Sequence, residues 1–113
     1  MGEDALDRAF VALADRTRRG VVERLRAGPC RAGALAAALD VSAPALTRHL
    51  RILRDSELVE EQPDPDDGRA RVYSLRQEAF GRLQHWVDDV QALWQQQLAA
   101  FAAHVRKRTR GKP

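Results

Sequence analysis

The sequence contains a single cysteine, Cys30, so no disulfide can form within the chain. A chain without disulfides is typical of a reducing compartment. No apolar run approaches the roughly 18 residues that a membrane-spanning helix requires. The first four residues are acidic rather than basic, unlike a signal peptide. We therefore expect a cytoplasmic protein with no membrane partner.

Residue patterns typical of enzymes are also missing. The sequence has no Ser, His and Asp in the arrangement of a catalytic triad, no glycine-rich phosphate loop and no evident pair of catalytic carboxylates. We therefore expect no enzymatic activity and no cofactor. The content of 44% hydrophobic and 31% charged residues is typical of a globular chain. The length of 113 residues predicts a single small domain, residues 1–113.

The most informative stretch of the chain runs from Leu39 to Arg54. Ser42 is suited to cap a helix, because its hydroxyl can accept a hydrogen bond from a free backbone N–H. A proline is tolerated in the first turn that follows. One face of the predicted helix is apolar and carries Leu46, Leu50 and Leu53. The other face carries small, hydroxyl and guanidinium side chains, namely Ala43, Thr47, Arg48, Arg51 and Arg54. This face either lies against a nucleic-acid groove or is an ordinary solvated surface.

The segment before this helix favours the nucleic-acid interpretation. Residues 31–39 are rich in alanine and place Leu35 and Leu39 four positions apart, which predicts a short helix. A turn of three residues separates the two helices. Two helices joined in this way form a helix-turn-helix, which we assign to residues 31–54.

Two more helices are predicted before the helix-turn-helix. Residues 3–14 place Leu6 and Phe10 on one side of the first. Asp15 is suited to cap the second, Arg16–Ala27, which a Gly-Pro pair ends. The second helix begins with arginines that have either a structural role or a phosphate contact: Arg16, Arg18 and Arg19.

A β-hairpin is predicted for residues 58–75. Residues 71–75 alternate between two faces, as a half-buried strand does. Asp67-Gly68 is a hairpin-turn pair. Arg69 follows at the tip, where its guanidinium either enters a minor groove or stays in solvent. Phosphate would repel the acids that surround it: Asp64, Asp66 and Asp67.

A long last helix is predicted for residues 77–108, because apolar residues recur there every three to four positions. Such a helix is about 45 Å long, whereas a compact domain of this size has a radius of gyration of about 13 Å. The large apolar side chains of the helix therefore need a partner surface. A second copy of the chain is the simplest partner, and the alternative is a bent helix that folds back on its own domain.

The sequence resembles the ArsR/SmtB-type winged-helix repressors over about residues 5–95. Four motifs in the expected order carry the resemblance: Ala12–Arg19, Leu35-Ala36, Val41–Leu50 and Gly68–Leu75. The resemblance implies a mainly α fold, a winged helix-turn-helix with a two-stranded β-wing and long N- and C-terminal dimerisation helices. It also implies a homodimeric prokaryotic repressor that binds double-stranded DNA.

The pattern and the resemblance together give two sets of expected site residues. Thr47 and Arg48 are expected to read bases, since Arg can bond bidentately to guanine. The full DNA-binding set is Ala43, Pro44, Thr47, Arg48, Arg51, Arg54 and Arg69. The expected dimer interface comprises Leu6, Phe10, Trp86, Val90, Trp94 and Phe101. Arg51 and Arg54 are expected to contact phosphate, and His49 to pack or hydrogen-bond within the domain. The family often has Gln where this chain has Ala43, so one base contact is missing.

The metal sites of the family are incomplete in this sequence. One site uses a Cys-x-Cys pair, whereas this chain has only Cys30, displaced by one residue. The other uses Asp-x-His, and Leu83 stands two residues before His85 in place of the acid. His104 lies about 28 Å farther along the same helix. We therefore expect no metal site, and the sequence does not identify a small-molecule effector.

Two alternatives to a plain repressor follow from the same residues. A metal- or thiol-responsive sensor of the same fold would use Cys30, which is otherwise a small hydrophobic residue. The other alternative is a winged-helix module that binds protein. It would account for the near-neutral charge of residues 31–76, which hold seven arginines against eight acids, a net charge of −1. The overall charge of +3 comes from elsewhere, above all from the basic residues 106–113, which are either solvated or an accessory phosphate contact.

Overall fold

A computed structural model describes residues 2–110 as five helices and three strands. The elements are α1 (Gly2–Leu13), α2 (Arg16–Leu25), β1 (Cys30–Arg31), α3 (Ala32–Leu39), α4 (Ala43–Asp55), β2 (Val59–Pro63), β3 (Arg71–Leu75) and α5 (Gln77–Arg110). The chain divides into two compact units, with the boundary after Gly81. None of the helices between residues 2 and 110 is long and apolar enough to cross a membrane.

The helix caps form where the sequence predicts them. Ser42 is extended, with φ −69° and ψ 154°, and its Oγ accepts a hydrogen bond from the Ala45 N–H at 3.2 Å. Asp15 caps α2 in the same way by accepting from the Arg18 N–H at 2.9 Å. This bond holds the pKa of the Asp15 carboxyl below its ordinary value.

The turn between α3 and α4 depends on a left-handed residue. Asp40 ends α3 with φ 54° and ψ 49°, a conformation that aspartate tolerates better than most residues. The Val41 N–H then donates to the Ala36 carbonyl at 3.1 Å, which satisfies one of the last carbonyls of the helix. The chain is thereby directed into the Ser42 cap, so α3 and α4 form the helix-turn-helix.

The sheet is antiparallel, with the strand order β1-β3-β2. In the β2–β3 hairpin Val59 lies opposite Leu75, and Pro63 lies opposite Arg71. The hairpin is the predicted two-stranded wing. The structure adds β1, which pairs Cys30 with Tyr73 on the other edge of β3. A two-residue strand is too short to show alternation, so the sequence did not predict it.

The core of the first unit lies between its helices and the start of the hairpin. The largest fully buried side chains are Val21, Leu35, Leu46, Leu53, Leu58 and Val59. The leucine stripe of α4 is completed by Leu50, which is only 2% exposed. Because these leucines face α2 and α3, the opposite face of α4 is turned to solvent.

The second unit consists of the part of α5 from Arg82 onward. Its described side chains from Gln84 to Thr109 are all exposed in the single chain. The large apolar ones among them range from 38% to 67% exposed: Trp86, Val87, Val90, Leu93, Trp94, Leu98, Phe101 and Val105. The predicted helix is confirmed, and it ends two residues later than expected, at Arg110.

Candidate nucleic-acid interface

The exposed face of α4 carries the residues that the sequence assigns to DNA. Ala43 and Pro44 are exposed in its first turn, and Thr47, Arg48 and Arg51 follow on the same helix. Within the part of the chain that the structure describes, neither Arg48 nor Arg51 forms an ion pair or a hydrogen bond. Their guanidinium groups are therefore available to an acceptor outside the protein.

Thr47 has part of its hydrogen-bonding capacity in use. Its Oγ1 donates to the carbonyl of Ala43 at 2.9 Å, one turn earlier in the helix. The hydroxyl oxygen can still accept a hydrogen bond, and the methyl group remains exposed. Thr47 can therefore accept from an amino group of a base or contact a thymine methyl.

Arg54, at the end of the same helix, has a different environment. Its Nη1 lies 2.7 Å from Oε2 of Glu61 on β2. Glu61 also lies 3.5 Å from Arg71 and accepts a hydrogen bond from the Tyr73 hydroxyl at 3.2 Å. Burial and the charge of Glu61 together raise the pKa of Tyr73. A phosphate contact of Arg54 would therefore compete with Glu61 for the guanidinium.

The wing presents Arg69 at its tip. The Arg69 side chain is exposed, and its backbone N–H donates to a carboxylate oxygen of Asp67 at 3.1 Å. Asp64, in contrast, is paired with Arg31, whose Nε donates to Oδ2 at 2.6 Å. The Asp66 N–H and the Arg31 guanidinium hold the pKa of Asp64 below its ordinary value. One of the acids expected to repel phosphate is thus neutralised within the protein.

Arg31 is the residue at this interface that sequence reasoning missed. It lies 33 positions before Asp64, and only the pairing of β1 with β3 brings the two together. No local pattern in the sequence indicates this contact.

Two of the three arginines at the start of α2 have structural roles. Arg18 Nε donates to the Ala12 carbonyl at 2.7 Å, and Arg19 Nη1 donates to the Leu13 carbonyl at 2.8 Å. They satisfy free carbonyls at the end of α1. Arg18 Nη1 also lies 3.2 Å from Nδ1 of His49. Because a guanidinium only donates, this Nδ1 accepts, and His49 is half-buried and hydrogen-bonded rather than turned outward.

The residues expected at a dimer interface remain partly or fully exposed in the single chain. Leu6 is half-buried and Phe10 is 41% exposed on α1. On α5 the exposed fractions are 44% for Trp86, 48% for Val90, 61% for Trp94 and 67% for Phe101. Their assignment to an interface stays a prediction.

The potential metal ligands do not converge. Among the side chains that the structure describes, those of residues 4–109, no three His, Cys, Asp or Glu groups are placed to hold a metal ion. Cys30 is half-buried on β1. His85 Nε2 lies 3.4 Å from Asp89 on an exposed turn of α5.

Comparison with known proteins matches residues 13–62 to a helix-turn-helix domain family. The chain is 42% identical to the HTH-type transcriptional regulator Rv2034 of Mycobacterium tuberculosis, over 85% of this chain and 84% of the relative. It is 29% identical to the transcriptional repressor SdpR of Bacillus subtilis, over 73% and 88% of the two chains. The crystal structure of the ArsR family transcriptional regulator RHA00566 superimposes with a TM-score of 0.73 at 33% identity, and the match covers 82% of this chain and 93% of that one.

Proposed function

Since this chain belongs to the ArsR-type family of winged helix-turn-helix transcriptional regulators, we propose that it is a homodimeric repressor that occupies an inverted-repeat operator. The relative SdpR is a repressor by name, which supports repression as the mode of regulation. In this proposal α4 is the recognition helix, and the β2–β3 hairpin is the wing.

The observation that carries the proposal is the pair of unpaired arginines on α4. Leu46, Leu50 and Leu53 anchor one face of the helix in the core, so the other face is held outward. Arg48 and Arg51 have no acidic partner there. We assign base contacts to Thr47 and Arg48, with Ala43 and Pro44 close to the base edges. Arg51 is assigned to phosphate, which positions the helix without reading sequence. Arg54 is kept as a weaker phosphate contact and Arg69 as a minor-groove contact.

Dimerisation is supported by the exposed apolar side chains of α5. A stripe that includes Trp86, Trp94 and Phe101 is costly to leave in water, and a second copy of the chain offers a matching surface. A dimer would present two recognition helices to successive major grooves. The operator half-sites are then expected about 10 bp apart, or a multiple of that spacing.

The test begins with selection of a binding duplex from a randomised pool, followed by fluorescence anisotropy with the selected and a scrambled duplex at several salt concentrations. We expect the selected duplex to bind about 10³-fold or more tightly than the scrambled one. Arg48→Ala is expected to cost about 1–3 kcal/mol on the selected duplex. Arg24→Ala is the matched control, because Arg24 is an exposed arginine on α2 that has no partner among the described side chains.

Equal and strongly salt-dependent binding to both duplexes would contradict sequence-specific recognition. An Arg48→Ala effect no larger than that of Arg24→Ala would contradict the assignment of α4. A monomer in a light-scattering mass measurement at micromolar concentration would contradict the dimer.

A further inference from the structure

We propose that Arg31 and Asp64 are a pair of positioning residues that hold the tip of the wing, residues 64–70, and with it Arg69, in the geometry that meets DNA. The inference rests on the function proposed above, in which Arg69 contacts the minor groove. Neither Arg31 nor Asp64 is assigned a contact with DNA.

Backbone hydrogen bonds close the tip into a loop, and Asp64 takes part in two of them. The Asp64 N–H donates to the Ala70 carbonyl at 3.0 Å, and the Ala70 N–H donates to the Asp67 carbonyl at 2.9 Å. The Asp67 N–H donates back to the Asp64 carbonyl at 3.2 Å. The conformation of the tip, and therefore the position of Arg69, depends on where Asp64 is held.

The Asp64 carboxylate uses both oxygens to hold this conformation. Oδ1 accepts from the Asp66 N–H at 2.9 Å inside the tip, and Oδ2 accepts from Arg31 Nε at 2.6 Å outside it. The Asp64 side chain is only 11% exposed, whereas Arg31 is 48% exposed and lies over it. Arg31 Nη2 also lies 2.5 Å from Oδ2, so two donors of one guanidinium hold the same carboxylate oxygen in a charge-assisted contact.

Arg31 is itself fixed by the backbone. It lies in β1 opposite Val72 of β3, and it is the residue immediately before α3. The tip is therefore tied to the first helix of the helix-turn-helix and not only to its own two strands. In a hairpin without this tie the tip would be free to move relative to α4.

This arrangement makes a prediction opposite to that of simple charge repulsion. If Asp64 acted only through its negative charge, its removal would strengthen DNA binding. If it positions Arg69, its removal weakens binding. Asp66 provides the matched control, because it carries the same charge in the same loop and its exposed side chain makes no hydrogen bond or ion pair with any residue that the structure describes.

The experiment measures binding of the full chain to the selected duplex by fluorescence anisotropy at several salt concentrations. We expect Asp64→Ala to bind about fivefold to tenfold more weakly and to lower the salt slope by about 1, the loss of one contact. Asp66→Ala is expected to bind equally well or up to about threefold more tightly. Tighter binding by both variants would overturn the proposal.

A double-mutant cycle separates positioning from direct contact by Arg31. If Arg31 acts through Asp64, the double variant Arg31→Ala/Asp64→Ala binds the selected duplex no more weakly than whichever of the two single variants has the lower affinity. Additive losses would show that Arg31 contacts DNA independently, and would overturn its role as a positioning residue. In the Asp64→Ala background we also expect Arg69→Ala to cost nothing further, and a full Arg69→Ala effect there would equally contradict the proposal.

A measurement without DNA keeps this inference distinguishable from the proposed function. For residues 66–70 we expect backbone order parameters of about 0.85 in the unaltered protein and below about 0.6 in Asp64→Ala. The decrease should be smaller in Asp64→Asn. Unchanged order parameters would overturn the inference even if the protein binds its duplex. If Arg48→Ala has no effect on DNA binding while the tip becomes mobile, the proposed function fails and the positioning pair stands.

Discussion

The recognition helix and the wing both carry arginines, but in different environments. On α4, Arg48 and Arg51 have no acidic partner among the described residues. In contrast, Arg31 is paired with Asp64 of the wing, and Glu61 of the wing engages both Arg71 and Arg54, the last arginine of α4. We therefore propose that the neighbour of an arginine, rather than its presence, decides whether its guanidinium is available to DNA.

Residues 31–76 carry a net charge of −1, yet on the exposed face of α4 Arg48 and Arg51 have no acidic partner among the described residues. Asp64 and Glu61 are engaged by arginines of the protein, so their charges are partly neutralised before DNA arrives. Within the described part of the chain, the guanidinium groups of Arg48, Arg51 and Arg69 have no acidic partner. The placement of Arg48 and Arg51 on one helix face, rather than the net charge of the segment, is therefore what favours contact with DNA.

The largest effect is expected from a change in the core beneath the recognition helix. Leu50→Ala should lower the free energy of unfolding by about 2–5 kcal/mol, because Leu50 is 2% exposed and a cavity would form beneath α4. Urea denaturation measures the loss. Ile52→Ala on the same helix is the control, since Ile52 is 40% exposed. An equal loss for the two variants would contradict the assignment of the buried face.

A smaller effect is expected at the start of the recognition helix alone. Ser42→Ala removes the bond from the Ala45 N–H and should cost about 1 kcal/mol of unfolding free energy. Ser42→Asp should restore it, because a carboxylate also caps the helix. A loss in Ser42→Asp as large as that in Ser42→Ala would contradict the capping role.

Arg54 and Arg71 can be freed from their acidic partner by a change at Glu61. Glu61→Gln should weaken the hold on Arg54 and Arg71, so that nonspecific DNA binding rises about twofold to threefold and the salt slope becomes steeper. Glu60→Gln is the matched control, because Glu60 carries the same charge and, among the described residues, its carboxylate accepts a hydrogen bond from Gln62 and contacts no arginine. If both variants change binding equally, net charge alone accounts for the effect.

The smallest effect is a dependence of stability on acid pH. The pKa of Asp15 is lowered in the folded protein, mainly by the Arg18 N–H. Its contribution is therefore complete above the ordinary value of 3.8 and is lost as the pH falls through the lowered value. In urea unfolding between pH 5 and about 2, the free energy of unfolding should decrease less for Asp15→Asn than for the unaltered chain. Identical pH profiles would contradict this assignment.

Local signals in the sequence were sufficient for most of the fold. The Ser42 cap, the leucine stripe of α4 and the period of α5 each act over a few residues, and all are present in the structure. The hairpin also forms where it was predicted, but residues 64–70 join its strands, and neither Asp67 nor Gly68 has the positive φ of a two-residue Asp-Gly turn. These features depend on neighbours in the chain, which is why they can be predicted without coordinates.

The contacts that distinguish the two kinds of arginine could not be predicted. The Arg31–Asp64 pair depends on a two-residue strand, and Arg54 meets Glu61 only because the chain reverses between α4 and β2. In the sequence, Arg48, Arg51 and Arg54 look alike on one helix face. Tertiary structure alone separates them.

The most direct test of this account compares Arg48→Ala with Arg54→Ala on the selected and scrambled duplexes. We predict that Arg48→Ala loses about 1–3 kcal/mol on the selected duplex and little on the scrambled one. Arg54→Ala should change both by a smaller and similar amount, because Glu61 already holds its guanidinium. Equal losses for the two variants, or a larger loss for Arg54→Ala, would contradict the central claim that the unpaired arginines of α4 read DNA.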